Sequence, residues 1–183
     1  MTVGWLVLLS ILLGIVFGFS TTVVNTIPQP DNVSRFGETT LAEKPYFFAS
    51  GIDDGTLKIY VYYQFNPSSG FNRTQIISLA YPQQYATKDS TLVFAFHQDT
   101  LLVGIPDYDD DIGVVLAYKK LGVNAFPVVP SRVISPNSPY KGQFGSSLAT
   151  TDSQLLIGAP TDGQTSHGLA YLYKVDANSG YLR

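Results

Sequence analysis

The chain contains no cysteine and only two histidines, and 14% of its 183 residues are charged. The absence of thiols excludes a disulfide framework and a thiolate metal site. A net charge of −3 leaves no basic surface for a polyanion, so nucleic acid is not expected as a partner. The chain has instead 45% hydrophobic and 13% aromatic residues, a composition that favours a packed core over disorder.

A long uncharged run opens the chain. Residues 3–19 contain no charged side chain, and no Lys or Arg precedes them. Gly18 and Ser20 occupy positions −3 and −1 of a signal-cleavage point before Thr21. The length of the run fits both a cleaved signal peptide and a retained membrane anchor. We therefore predict that residues 1–20 direct export, that the protein is secreted or lies on the cell surface, and that it meets the membrane only through residues 3–19, if these are retained.

Two N-x-S/T sequons follow the run. They begin at Asn32 and Asn72. In an exported eukaryotic protein both asparagines are candidate N-glycosylation sites on the surface.

Four landmarks recur in one order along the chain, at a spacing close to 54 residues. They are a Phe-Gly pair, a Gly-x-Pro element, a glycine-led strand and an aromatic residue that opens the next segment. The first two are represented by Phe36-Gly37, Phe144-Gly145, Gly104-x-Pro106 and Gly158-x-Pro160. Gly51, which no proline follows, precedes Gly104 by 53 residues. Regular spacing of this kind predicts three copies of one structural unit.

Each unit is predicted to fold as four short strands. In the third unit these are Ser146 to Thr150, Gln154 to Gly158 and Gly168 to Lys174, and the outer strand between the second and third units is Ala125 to Ile134. The second strands are apolar at every position, as in Leu101-Leu102-Val103. Because a strand with two apolar faces belongs to a sheet covered on both sides, the units are expected to stack face to face.

These motifs resemble the FG-GAP repeat, the β-propeller unit of integrin α-chains and of many secreted or surface proteins. The resemblance implies an all-β chain of about three propeller-type blades, after an N-terminal hydrophobic helix or signal. Its divisions are an export segment at 1–20, a linker or outer strand at 21–35, and repeats at 36–183, split at about 36–70, 71–125 and 126–183. The second unit departs from the pattern, with Ser90-Thr91 where Phe-Gly belongs, and the first lacks the proline.

Three blades are fewer than the four to eight that close a propeller. The repeats are therefore expected to be incomplete at the C-terminus. The outer faces of the first and third blades are expected to be exposed, and three blades alone are expected to self-associate.

Few residues carry the pattern of a chemical site. Asp107, Asp109 and Asp111 form a weak candidate calcium loop, since alternating carboxylates suit a hard cation, but Ile112 replaces the turn glycine. The turns that hold calcium in the resembling family lack clustered carboxylates here, so no metal or other cofactor is expected. His97 and His167 lie in predicted turns without a catalytic context, so no catalytic residue is nominated. Tyr63, Tyr108 and Tyr140 are candidate exposed contacts for a glycan or a protein.

The resemblance implies a non-catalytic exported module that binds a protein or an extracellular-matrix component, as adhesion proteins do. Two alternatives stay open. One is a non-catalytic repeat region of a larger secreted enzyme, which a neighbouring catalytic domain would favour. The other is a structural remnant with no ligand.

Overall fold

The computed structural model describes residues 27–66, 68, 70–79, 85–122, 124–163, 167–176 and 180–182. The predicted export segment lies outside this range. Within it, no helix is long and apolar enough to cross a membrane. The described chain is all-β with curled antiparallel sheets, apart from one helical turn, α1, at Tyr108–Asp111.

The strands form three sheets that follow one another along the chain. The first sheet consists of β1 (Val33–Ser34), β2 (Thr40–Glu43), β3 (Tyr46–Asp53), β4 (Thr56–Tyr63) and β5 (Asn72–Ser78). The second sheet consists of β6 (Val93–His97), β7 (Thr100–Ile105), β8 (Val114–Lys119) and β9 (Arg132–Ile134). The third sheet consists of β10 (Ser147–Thr151), β11 (Gln154–Ala159), β12 (Leu169–Asp176) and β13 (Gly180–Leu182). In the second and third sheets the strands lie side by side in chain order.

The predicted strands of the third unit agree with β10, β11 and β12 to within two residues. The predicted outer strand over Ala125 to Ile134 is wrong for most of its length, because only Arg132–Ile134 is a strand. Pro127 and Pro130 lie in the part that does not pair. Proline has no amide hydrogen to donate to a strand ladder, so this stretch runs as a loop before β9.

The sheets pack face to face. One face of the first sheet packs on the second sheet, and the opposite face of the second sheet packs on the third. Aromatic rings fill the first of these interfaces, with Tyr46, Phe48, Phe96 and Phe126 at centroid separations of 5.6 to 6.3 Å. Apolar burial of this extent is the main source of stability in such a core, at about 1.5–3 kcal/mol for each large side chain.

The two outer faces of the stack differ. On the first sheet, Tyr60 and Tyr62 are buried because Val33 and Phe36 pack over them, so the expected exposure of that face is wrong. The chain that enters the first sheet covers its own outer face. On the third sheet, the expected exposure is confirmed, because Leu156 is 43% exposed and other apolar side chains of that face also meet solvent.

Candidate functional site

The contact between the second and third sheets is built around the Phe144-Gly145 pair. The amide of Phe144 donates to the carbonyl of Ile112 at 3.0 Å, and the amide of Gln143 donates to the carbonyl of Asp111 at 2.8 Å. Phe144 also forms a parallel bridge with Gly113. The segment that enters the third sheet is thus held by the backbone of the second.

Two glycines of the second sheet make room for this segment. A Cβ atom built on Gly104 would overlap the carbonyl oxygen of Gly145, and one built on Gly113 would overlap the backbone of Phe144. Because the atoms in the way are backbone, they cannot move as a side-chain rotamer can. We call the surface formed by Gly104, Ile112 and Gly113 the Phe-Gly seat. Its close approach explains why glycine recurs at these positions.

The phenylalanine ring of the pair serves its own sheet. Phe144 lies edge-on to Tyr171, with centroids 5.3 Å apart and an interplanar angle of 73°. Phe36 lies edge-on to Tyr60 in the first sheet at 5.6 Å and 78°. Edge-to-face rings at these separations attract beyond the gain from burial, by about 0.5–1.5 kcal/mol. The two Phe-Gly pairs therefore have matching surroundings.

The spacing of Gly51 led to a wrong correspondence with Gly104. The amide of Gly145 donates to the carbonyl of Gly158, and the amide of Gly37 donates in the same way to Ser50. Ser50, 54 residues before Gly104, is thus the counterpart, and Gly51 faces the opposite side of its sheet, toward Val33 and Tyr60. Since side chains alternate along a strand, a shift of one residue exchanges the two faces.

The acidic loop after β7 forms a left-handed turn. Asp109, Asp110 and Asp111 have φ values of 53°, 57° and 67°, a conformation that aspartate tolerates better than most residues. The carboxylates of Asp109 and Asp110 point into solvent or pair with the exposed Lys141. The pairing hydrogen bond raises the pKa of Lys141. The backbone of the loop carries the carbonyls that accept from Gln143 and Phe144, so the loop also supports the Phe-Gly seat.

The candidate calcium ligands do not gather. No group of three or more histidine, aspartate or glutamate side chains in the described residues is placed to hold a metal ion, and this includes Asp107, Asp109 and Asp111.

The buried carboxylate of Asp162 connects three segments of the third unit. Asp162 is 2% exposed and accepts hydrogen bonds from the Ser138 hydroxyl at 2.5 Å, from the Gly163 amide at 2.7 Å and from the Tyr171 hydroxyl. Gly142 lies against it so closely that a Cβ atom would stand 2.7 Å from the Asp162 Cβ. This network fixes the approach of the chain to the Phe-Gly pair.

The histidines and the serines after Phe-Gly do not form a catalytic arrangement. His97 is the last residue of β6, not a turn residue, and its buried ring lies 3.3 Å from the carbonyl of Asp152. Ser146 donates to the carbonyl of Gln143 at 2.6 Å. His167 is exposed at the loop after β11. These contacts join segments of backbone and do not activate a nucleophile.

The surface candidates are only partly accessible. Tyr63 and Tyr108 are half-buried, contrary to their expected exposure, because Tyr63 packs on Tyr46 and Tyr108 on Tyr85. Tyr140 is 38% exposed. The two sequon asparagines, Asn32 and Asn72, are both exposed and stay candidate glycosylation sites.

Charge is divided between the two ends of the sheets. We call the end with the β3–β4, β7–β8 and β11–β12 connections the loop end, and the end with the β2–β3, β6–β7 and β10–β11 turns the turn end. The loop end carries the carboxylates of Asp31, Glu38, Asp53, Asp54, Asp89, Asp107, Asp109, Asp110, Asp111 and Asp162, and the cations of Arg35, Lys58, Lys88 and Lys141. Among the described side chains, the turn end carries Glu43, Asp99 and Asp152 against Lys44, Arg73, Lys119, Lys120, Arg132 and Lys174. The loop end is therefore acidic and the turn end basic.

Comparison of the chain with protein families, with curated proteins and with solved structures gave no match. The described fold defines an all-β protein of three antiparallel sheets packed face to face.

Proposed function

We propose that the protein is a non-catalytic, exported binding module of the β-propeller type. Its acidic loop end binds a basic surface on a protein or matrix partner. The observation that carries this proposal is the division of charge between the two ends, because a concentrated field of one sign attracts a complementary surface and raises its association rate. The shared strand order of the three sheets and the Phe-Gly seat support the propeller assignment.

The exposed acidic positions allow a direct test of this binding. Asp54, Asp109 and Asp110 are exposed and adopt positive φ, which asparagine also accepts, so their replacement by asparagine removes charge without backbone strain. We expect the triple variant to bind a panel of purified extracellular proteins at least tenfold more slowly, in surface-plasmon measurements at low salt.

The matched control is Lys44→Gln with Lys119→Gln, which changes charge at the turn end on exposed residues. This control should bind the same partners as the native protein. Absence of any partner, or a partner whose association rate ignores the loop-end variant, would refute the proposal.

Export is proposed from the uncharged run at residues 3–19. N-terminal sequencing of the expressed protein tests it. A start near Thr21, or an intact Met1 in the membrane fraction, supports export, whereas an intact soluble cytosolic product contradicts it.

A further inference from the structure

The outer face of the third sheet is an apolar surface. Ala149, Leu156 and Leu172 form a row across β10, β11 and β12, and the two leucines are 43% and 53% exposed. The row in the same register of the second sheet is buried under the third sheet, and it consists of Ala95, Leu102 and Ala117. One face of the same kind is thus covered in the second sheet and open in the third.

A groove of about 540 Å³ opens at the loop end of the exposed face. Gly158, Pro160 and Gly168 line it. In the second sheet the counterparts of these glycines, Gly104 and Gly113, form the Phe-Gly seat. The groove therefore has the elements that receive a Phe-Gly pair: two positions without side chains and a strand end between them.

The first sheet presents such a pair at the other end of the stack. Phe36 is half-buried on Tyr60 and Tyr62, and Gly37 is exposed. In the third sheet the corresponding Phe144 and Gly145 are buried, because the second sheet covers them. The chain thus carries an accessible Phe-Gly pair on its first sheet and a groove of matching construction on its third.

We propose that the apolar face and groove of the third sheet bind the first sheet of a second copy of this chain, with Phe36-Gly37 of that copy over Gly158 and Gly168. The contact repeats the interface that already joins the second and third sheets. It joins two different surfaces, so each copy has one of each to offer. Two copies supply six sheets, a number at which radially stacked sheets close into a ring. The inference concerns the two ends of the stack and does not depend on what the acidic loop end binds.

Sedimentation velocity on the full chain, purified in a mild non-ionic detergent, tests the pairing. Leu172→Asp places a charge on the third-sheet face, and Ala42→Asp places one beside Phe47 on the outer face of the first sheet; both positions are exposed, so folding is retained. The native chain is expected to sediment as a dimer and each variant as a monomer. An equimolar mixture of the two variants is expected to recover a dimer, because one intact interface remains in the mixed pair.

Val133→Asp is the control, since Val133 is 44% exposed on the second sheet, away from both surfaces. It should sediment as the native chain does. A native monomer, or a dimer that survives Leu172→Asp, overturns the proposal. A dimer lost in Leu172→Asp but kept in Ala42→Asp also overturns it, because that result indicates a symmetric contact between two third sheets.

Discussion

Replacing Gly104 with alanine is expected to lower the free energy of unfolding by about 3 kcal/mol. The added Cβ would overlap the carbonyl oxygen of Gly145, and the nearest three atoms are all backbone of that residue. Relief requires the segment entering the third sheet to move away from the second. That movement weakens the apolar packing between Phe144 and the second sheet. Chemical denaturation followed by circular dichroism measures the change.

Gly122→Ala is the matched control for this substitution. A Cβ atom at Gly122 meets nothing within 4 Å, and Gly122, like Gly104, does not adopt positive φ. Its replacement should be neutral or stabilise by less than about 1 kcal/mol, through the lower entropy of the unfolded chain. Equal effects of the two substitutions would show that the Phe-Gly seat does not hold the sheets together.

The second large effect is expected for Asp162→Ala, at about 3 kcal/mol of destabilisation. Removal of the carboxylate leaves the buried hydroxyl of Tyr171 and the hydroxyl of Ser138 without their acceptor. A buried donor that loses its partner costs its full desolvation, about 1–3 kcal/mol for each group. Thermal unfolding with matched denaturant curves measures the loss.

Two substitutions separate the network from its parts. Asp152→Ala removes an exposed carboxylate in the β10–β11 turn and should leave stability unchanged to within about 0.5 kcal/mol. Tyr118→Phe removes a buried hydroxyl that has no hydrogen-bond partner in the structure, so it should be neutral or stabilising. The burial that raises the pKa of Tyr118 also disfavours its ionised form. A destabilising Tyr118→Phe, together with a silent Asp162→Ala, would contradict the assigned hydrogen bonding.

The periodic features of the chain could be predicted from its sequence. The alternation in β12 and the apolar run of β7 predict strands and their cover on both faces, and both strands are present. The loop before β9 was missed because valines 128 and 129 carry strand propensity, while the prolines around them remove the amide donors that pairing needs. Local pattern favoured a strand where hydrogen bonding forbids one.

The features that depend on contacts between distant segments were not accessible from the sequence. Asp162 is one aspartate among many, and only the fold brings Ser138 and Tyr171 to it. The division of charge between the ends was a recoverable signal. The acidic residues lie in the loops that join the second strand of each unit to the third, and strand alternation places those loops at one end. The face of Gly51 needed the register, because a spacing of 53 rather than 54 reverses the side.

Amide hydrogen exchange at Gln143 and Phe144 tests most directly whether the Phe-Gly seat joins the sheets. These amides donate to carbonyls of the preceding sheet's loop at 2.8 and 3.0 Å. Both are expected to exchange as slowly as the amides of β11, and Gly104→Ala should speed their exchange by about 100-fold, the equivalent of about 3 kcal/mol. Exchange at the rate of an exposed loop in the native protein would contradict the account.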